Sequence, residues 1–265
     1  MRILDAVKTY DVSNVGYAKV CNADLLLATD PDCDRVGIAV KNKAGEYELL
    51  TGNQTGMLLD YNCSQRVKHG KMPADPVMVK TIVTMDMGEQ IGKLEKQGKK
   101  DSYEESCGYL TGSYVRNKDG VDGAYMICEM FSYYATKGIS LLDKLDELYK
   151  TYGYCLNTLH SYEFDGSAGF RKMQALMASF RADVTVGTTL GGKKIQKVLD
   201  YSAGLDGLPK ADVLKYLLEG NCSVVVRPSG TEPKLKTYIS ICASTREEAQ
   251  TLEAAISRQL DGLLR

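Results

Sequence analysis

The chain has 265 residues, 44% apolar and 25% charged, a balance that fits a soluble globular protein with room for about two domains. Its formal net charge of −1 supplies no overall basic field, which excludes general attraction to nucleic acid or to an anionic membrane surface. No apolar run approaches the roughly 20 residues of a membrane span, and the N-terminus carries no signal-peptide pattern.

In chain order, Leu25 to Ala28 is a continuous apolar run, the pattern of a strand covered on both faces. Val36 to Val40 is another, Lys41 to Gly45 supplies turn residues, and Tyr47 to Thr51 continues as a strand. Val77 to Thr84 reads as a further strand. Glu89 to Asp101 is polar and lysine-rich, reads as a solvated helix and loop, and runs into Ser102 without an apolar strand. Ala124, Ile127, Met130, Phe131 and Tyr134 recur at helical spacing, as do Leu141, Leu142, Leu145, Leu148 and Tyr149. Composition changes around Gly153 to Asn157, after which the order is strand, helix, strands, helix. Phe170, Met173, Leu176, Met177 and Phe180 mark the first of these helices. Ala249, Leu252, Ile256, Leu260 and Leu263 mark the last, with Thr245 and Glu248 as a capping box. Between them, strands are expected at Lys194 to Tyr201, Val213 to Leu218, Ser223 to Val226 and Leu235 to Cys242. The eight cysteines form no CxxC pair, and Cys63, Cys128, Cys222 and Cys242 sit in apolar contexts. Buried, reduced thiols in a cytoplasmic protein are therefore expected. Only His69 and His160 could add imidazole ligands, and neither has zinc-site spacing with a cysteine.

Three motifs carry chemistry. Asp30-Pro31-Asp32-Cys33-Asp34-Arg35 follows the first strand, where open α/β sheets place ligands. Its three carboxylates can converge on a hard dication such as Mg²⁺, and Arg35 offers a fork of donors for a phosphoryl oxygen. Without a cation the same loop is an acidic solvated turn. Arg35 and Lys41 stand where an EF-hand needs Gly and Glu, which excludes that motif. Glu104-Glu105-Ser106-Cys107-Gly108-Tyr109, followed by Arg116-Asn117-Lys118-Asp119-Gly120, combines acceptors and donors suited to sugar hydroxyls, with Lys118 able to neutralise a phosphate. A charged surface loop is the bland alternative. Arg227-Pro228-Ser229-Gly230-Thr231-Glu232-Pro233-Lys234 joins two strands with hydroxyls, backbone N–H groups and positive charge, a set able to hold phosphate or merely to form a polar turn.

In order and in wording, these motifs resemble the metal-, sugar- and phosphate-binding loops of the α-D-phosphohexomutases, the phosphoglucomutase/phosphomannomutase family. Leu49 to Gly56 resembles that family's bacterial phosphoglucomutase branch. The resemblance implies an α/β architecture with two mixed-sheet domains, the first incomplete, and a smaller α+β C-terminal domain. The divisions expected are 1–44, carrying the metal loop, 45–155, carrying the sugar loop, and 156–265, carrying the phosphate loop. It implies that Asp30, Asp32 and Asp34 bind Mg²⁺ and that Arg35 takes part in phosphoryl transfer. Glu104, Ser106, Lys118, Arg227, Ser229, Gly230, Thr231 and Lys234 would bind the substrate.

It further implies interconversion of hexose 1-phosphate and hexose 6-phosphate, glucose first among them, through a phosphoserine and a hexose 1,6-bisphosphate. A monomer in the cytoplasm is expected, with a hexose phosphate as partner and no nucleic acid or membrane.

The sequence also departs from the family. Only 29 residues precede Asp30, and they hold no Ser-His-Asn-Pro-type loop. No Thr-Gly-Phe-Lys-like loop follows Val77 to Thr84, the stretch from Tyr10 to Val20 is compressed, and no apolar strand precedes Glu104. The expectation is a partial chain without mutase activity of its own. Rival readings are a non-catalytic sugar-phosphate binding module and a haloacid-dehalogenase-like phosphatase with Asp30 as nucleophile.

Overall fold

The computed structural model describes residues 18–70, 78–85, 87, 101–110, 117–205, 207–230 and 232–264. The chain divides into two compact units, Met1–Tyr152 and Gly153–Arg265.

The first unit begins with an antiparallel meander of β1 (Leu25–Thr29), β2 (Val36–Lys41) and β3 (Tyr47–Leu50). Leu25 pairs with Val40 and Thr29 with Val36, so residues 30–35 form the tip of a hairpin. The acidic loop therefore turns back on its own strand and does not cap an open parallel sheet. Leu27 is 38% exposed, which overturns the expectation that β1 is covered on both faces. Its partner Ile38 is buried.

Helix α1 (Gly52–Lys68) follows, and periodicity does not announce it. Its buried positions run almost continuously from Gly52 to Ser64 and include Asn53, Thr55, Asp60 and Asn62. A helix enclosed on most sides, with polar residues inside, leaves no single apolar stripe to read.

The second sheet is mixed: β4 (Met78–Lys80) runs parallel to β5 (Asp101–Glu104), and β5 runs antiparallel to β6 (Gly108–Leu110). Two expectations change here. The strand anticipated over residues 77–84 is only three residues long and gives way to a turn in which the Thr84 amide donates to the Thr81 carbonyl. A strand does precede Glu105, although Asp101-Ser102-Tyr103-Glu104 is polar, because the ladders on both sides supply its order. The stretch 88–100 lies outside the described residues.

Helices α2 (Gly120–Ala135) and α3 (Leu141–Tyr152) occupy the two expected stripes. Gly123, Ile127, Met130 and Tyr134 are buried on one, and Leu141, Leu145 and Leu148 on the other.

The second unit is α+β. β7 (Tyr154–Glu163), α4 (Gly166–Asp183), β8 (Thr189–Leu190), β9 (Lys193–Asp200), β10 (Leu214–Leu218), β11 (Cys222–Pro228), β12 (Lys234–Ala243) and α5 (Arg246–Leu264) follow in order. The six strands form an antiparallel sheet ordered β7-β12-β11-β10-β9-β8. Along one face Tyr216, Val224 and Ile239 stand in register, and they share a core with Met173, Met177 and Phe180 of α4 and Ile256 and Leu260 of α5. Each such fully buried side chain contributes about 1.5–3 kcal/mol of transfer free energy. Both helix stripes are narrower than read from sequence: Phe170 is 53% exposed and Leu263 43%, with Leu264 turned into the core instead.

The capping box is present. Thr245 Oγ1 accepts from the Glu248 amide, and the Glu248 carboxylate accepts from the Ser244 amide. All eight cysteines are free; Cys63, Cys155 and Cys222 are buried, whereas Cys128, expected inside, is exposed. Among the described residues no helix is long and apolar enough to cross a membrane.

Thr237 of β12 is fully buried, and its hydroxyl has no hydrogen-bond partner among the described residues. Thr237→Val keeps the shape and deletes the orphaned group, so it is expected to stabilise the fold by about 1 kcal/mol. An urea midpoint that rises at constant m-value would bear this out; a lower midpoint would mean that the hydroxyl is satisfied.

Candidate functional site

The hairpin tip between β1 and β2 is organised by one carboxylate. Asp30 Oδ1 accepts from the backbone amides of both Asp34 and Arg35, each at 3.1 Å. The Cys33 amide closes a turn onto the Asp30 carbonyl at 3.0 Å, with Pro31 at the position where its fixed φ is favoured. Cys33 then takes a left-handed φ of 56°, reversing the chain so that Asp34 comes back over Asp30. Single carboxylate oxygens from Asp30, Asp32 and Asp34 can be chosen that all lie within 4.8 Å of one another. Asp32 is exposed, while the side chain of Asp30 is only 9% exposed.

Two cations border this acidic cluster. Arg35 Nε lies 3.5 Å from Asp34 and its Nη1 3.9 Å from Asp30. Lys118 Nζ lies 2.9 Å from Asp34 Oδ2. Burial pushes the Asp30 carboxyl above its usual range, and a proton shared with Asp34 adds to this. Burial also works against ionisation of Asp34, but the hydrogen bonds from Lys118 and Asp30 and the Arg35 charge outweigh it and hold Asp34 below the usual range. The pair thus splits, with Asp34 the firmer anion.

Lys118 belongs to a three-residue clasp. Its neighbour Asp119 caps α2, accepting from the Val121 and Asp122 amides, while the Asp119 amide donates to the Tyr109 carbonyl of β6. The Gly120 amide donates to the Cys33 carbonyl at 2.9 Å. A Cβ on Gly120 would stand 2.8 Å from the Cys33 oxygen and 3.0 Å from the Arg35 oxygen, so only glycine lets α2 start this close to the acidic loop.

The turn Glu105-Ser106-Cys107 is seated in the same way. It joins β5 to β6 as a three-residue hairpin loop, with Cys107 left-handed at φ 66°. The Cys107 carbonyl accepts from the Val36 amide, tying this turn to the base of the acidic loop. A Cβ on Gly52, the first residue of α1, would stand 2.5 Å from the Glu105 oxygen and 2.6 Å from the Cys107 nitrogen. The structure thus brings Asp30, Asp32, Asp34, Arg35, Ser106 and Lys118 into one corner of the first unit, with Glu104 at the end of β5, opposite Gly108.

In the second unit, Arg227 to Lys234 links β11 to β12. The Ser229 amide donates to the Lys234 carbonyl, and the Phe164 amide to the Pro233 carbonyl, which fixes the loop against the end of β7. Arg227 and Ser229 are half-buried and Gly230 is exposed; Thr231 lies outside the described residues. A Cβ at Gly230 would meet nothing within 4 Å, so the chain itself does not require glycine there. Lys234 is engaged by Glu163 at 3.1 Å and Glu232 at 3.2 Å, hydrogen bonds that raise its pKa.

The chain is similar to known proteins in sequence and in fold. Residues 181–259 match the family described as phosphoglucomutase/phosphomannomutase, C-terminal domain. The chain is 30% identical over 277 aligned positions to a phosphoglucomutase of Staphylococcus aureus, spanning 91% of this chain and 49% of that protein. The chain is thus similar in sequence to phosphoglucomutases. It spans about half the length of the curated relatives it matches.

Solved structures share the fold. The open form of Paramecium pp63/parafusin, a phosphoglucomutase, superposes with a TM-score of 0.66 at 16% identity, over 91% of this chain and 44% of that one. A phosphoglucomutase/phosphomannomutase family protein from Burkholderia thailandensis gives 0.55 at 13% identity, over 94% and 49%. At this corner, sequence reading gave no role to Gly52, Asp119 and Gly120, although all three lie within motifs it named. The signal for the last two was their adjacency to Lys118, since a cap and a glycine at a helix start mark a tight approach.

The Lys118–Asp34 pair has a pH signature. Because Asp34 is held low, the pair stabilises the fold above the unfolded carboxylate value near ~3.9, and that contribution disappears as pH falls through the lower folded value. Lys118→Met is expected to cost about 1 kcal/mol at pH 7, the partly exposed pair being screened by solvent. Chemical denaturation across pH checks it: the gap between the two proteins should close on acidification, and a gap independent of pH would contradict it.

Proposed function

We propose that this chain supplies the metal-, sugar- and phosphate-binding parts of a phosphohexomutase that interconverts hexose 1-phosphate and hexose 6-phosphate, glucose being the preferred hexose. The observation that carries the reading is the mounting of the acidic loop: Lys118, Asp119 and Gly120 clasp it to β6, and the Val36 amide ties its base to the Cys107 carbonyl of the Glu105–Cys107 turn. An acidic surface turn has no need of such a mount. Homology to phosphoglucomutases supports the reading independently.

The donor set suits Mg²⁺: three carboxylate oxygens at mutual distances within 4.8 Å are hard ligands, with room for water and a phosphoryl oxygen to complete an octahedron. Asp30, Asp32 and Asp34 would hold the ion, which when bound offsets negative charge on the transferring phosphoryl group. Arg35 stands beside the same carboxylates and would direct its donors at that group. Glu104 and Ser106 would bind sugar hydroxyls, and Lys118 a phosphoryl oxygen. Arg227, Ser229, Gly230 and Thr231 would grip the non-reacting phosphate, the exposed Gly230 giving its oxygens close access to backbone amides. Lys234, bound by two glutamates, would set the shape and potential of that loop.

Transfer would proceed through a hexose 1,6-bisphosphate and a phosphoserine contributed by residues other than these 265, none of which forms a Ser-His-Asn-Pro-type loop. The proposal includes a monomer working in the cytoplasm, a compartment consistent with eight cysteines outside disulfides. A haloacid-dehalogenase-like nucleophile at Asp30 is disfavoured, since its Oδ1 is committed to two backbone amides.

Three measurements test the reading. The chain alone is expected to convert no glucose 1-phosphate to glucose 6-phosphate in a coupled assay, and turnover would refute the need for an external phosphoserine. Asp32→Ala, an exposed position, should abolish Mg²⁺ binding seen by calorimetry without lowering thermal stability. Arg227→Ala should weaken glucose 6-phosphate binding at least about tenfold, the scale of a lost charged hydrogen bond; an unchanged isotherm would remove this loop from the site.

A further inference from the structure

The second unit carries a pair of thiols to which the proposed reaction gives no role. Cys155, the second residue of β7, and Cys242, the next-to-last of β12, are direct cross-strand partners, and their sulfurs lie 3.0 Å apart. Cys155 is buried at 4% exposure, whereas Cys242 is partly exposed. Cys222 packs nearby with its sulfur 3.6 Å from the Cys242 carbonyl, but burial raises its pKa and keeps it a thiol.

We propose that Cys155 and Cys242 form an oxidative cross-link site, closed by a hydroperoxide. Directly opposed residues on neighbouring strands bring Cβ atoms to about 4.5–5.5 Å, next to the about 3.5–4.5 Å of a disulfide. The sulfurs need approach by only about 1 Å to reach bonding distance. The partly exposed Cys242 thiolate attacks the peroxide oxygen, giving a sulfenic acid and releasing an alcohol, or water from hydrogen peroxide. The Cys155 sulfur then attacks the Cys242 sulfur, forming the S–S bond as hydroxide leaves and takes the Cys155 proton as water. Two thiols are oxidised by two electrons and the peroxide O–O bond is reduced. A dithiol reductant reverses the link by exchange.

The bond would fasten edge strand β7 to β12 just after Gly153, closing a loop that holds α4 and β8 to β11. It lies at the end of β12 opposite the Arg227–Lys234 loop, so it would act on stability and leave phosphate binding intact.

Peptide mapping of the full chain tests this, after hydrogen peroxide treatment at a concentration low enough to prevent dimer formation. A tryptic link between residues 151–171 and 237–246 is expected, lost in Cys155→Ser and in Cys242→Ser and retained in Cys222→Ser. The midpoint of thermal unfolding should rise by roughly 5–10 °C and return with dithiothreitol. Should the serine variants fail to fold, the wild-type map still decides. Persistence of both thiols, a dominant link from 237–246 to residues 216–234, which carry Cys222, or no thermal shift would each overturn the proposal.

Discussion

The acidic corner of the first unit depends on a close backbone approach, the Gly120 amide bonding to the Cys33 carbonyl at 2.9 Å. Three carboxylates crowded into five residues repel one another and, left as a free turn, would spread into solvent. What holds them is geometry imposed from outside the loop. Gly120 pins its crest, Val36 joins its base to the Cys107 carbonyl, and Lys118 and Arg35 lower the cost of bringing the charges together. The partners outside the loop come from two distant stretches, Cys107 and Lys118 to Gly120, so the order of the acidic loop depends on the packing of β6 and α2 against it. Gly123 repeats the same device one turn later, where a Cβ would press on Tyr109 at 3.0 Å and on Val36 at 3.1 Å. Helix α2 thus lies low over both loops, and small residues at its start set the distance.

The second unit solves a simpler problem. One face of a six-stranded antiparallel sheet is closed by two helices, and the Arg227–Lys234 loop projects from the end of two of its central strands. Here the loop takes its shape from its own hairpin bonds and from the Phe164 amide. Glu163 and Glu232 neutralise Lys234 and leave the half-buried Arg227 as the cation best placed to define an anion's position. The two units thus present positive charge differently: in the first it balances carboxylates, while in the second it stands beside open backbone at Gly230.

How much of this was legible in the sequence follows from how local each signal is. Strand β2, strands β9 to β12 and helices α2 to α5 follow from apolar spacing because each buries a recognisable face, whereas β1 reads as a strand without burying one. The capping box at Thr245 and Glu248 was readable since both of its bonds span four residues or fewer. Helix α1 was not, because burial on most sides with Asn53, Thr55 and Asp60 inside erases the polar face that periodicity needs. Strand β5 carries no apolar pattern to announce it, because its order comes from the neighbouring ladders. For the site, carboxylates and cations could be picked out by residue type. Their mutual placement could not, because the pairs Lys118–Asp34 and Gly52–Glu105 join residues far apart in sequence.

Charge balance gives the final physical reason to read the corner as a place for both a dication and a phosphoryl group. Asp30, Asp32 and Asp34 bring three negative charges when ionised, and Arg35 and Lys118 bring two positive ones, leaving a deficit of one. Burial, and after it the hydrogen bond with Asp34, raises the Asp30 carboxyl above its usual range and favours its neutral form. A dication among the carboxylates would favour ionised Asp30 and turn the local sum to plus one. A phosphoryl group of about −1.5 to −2 charge would then bring it back toward zero. Neither partner alone neutralises the corner as well as the two together. On this reading metal and phosphate binding are coupled by electrostatics, and Lys118, bridged to Asp34, is the group whose partner changes as that balance shifts.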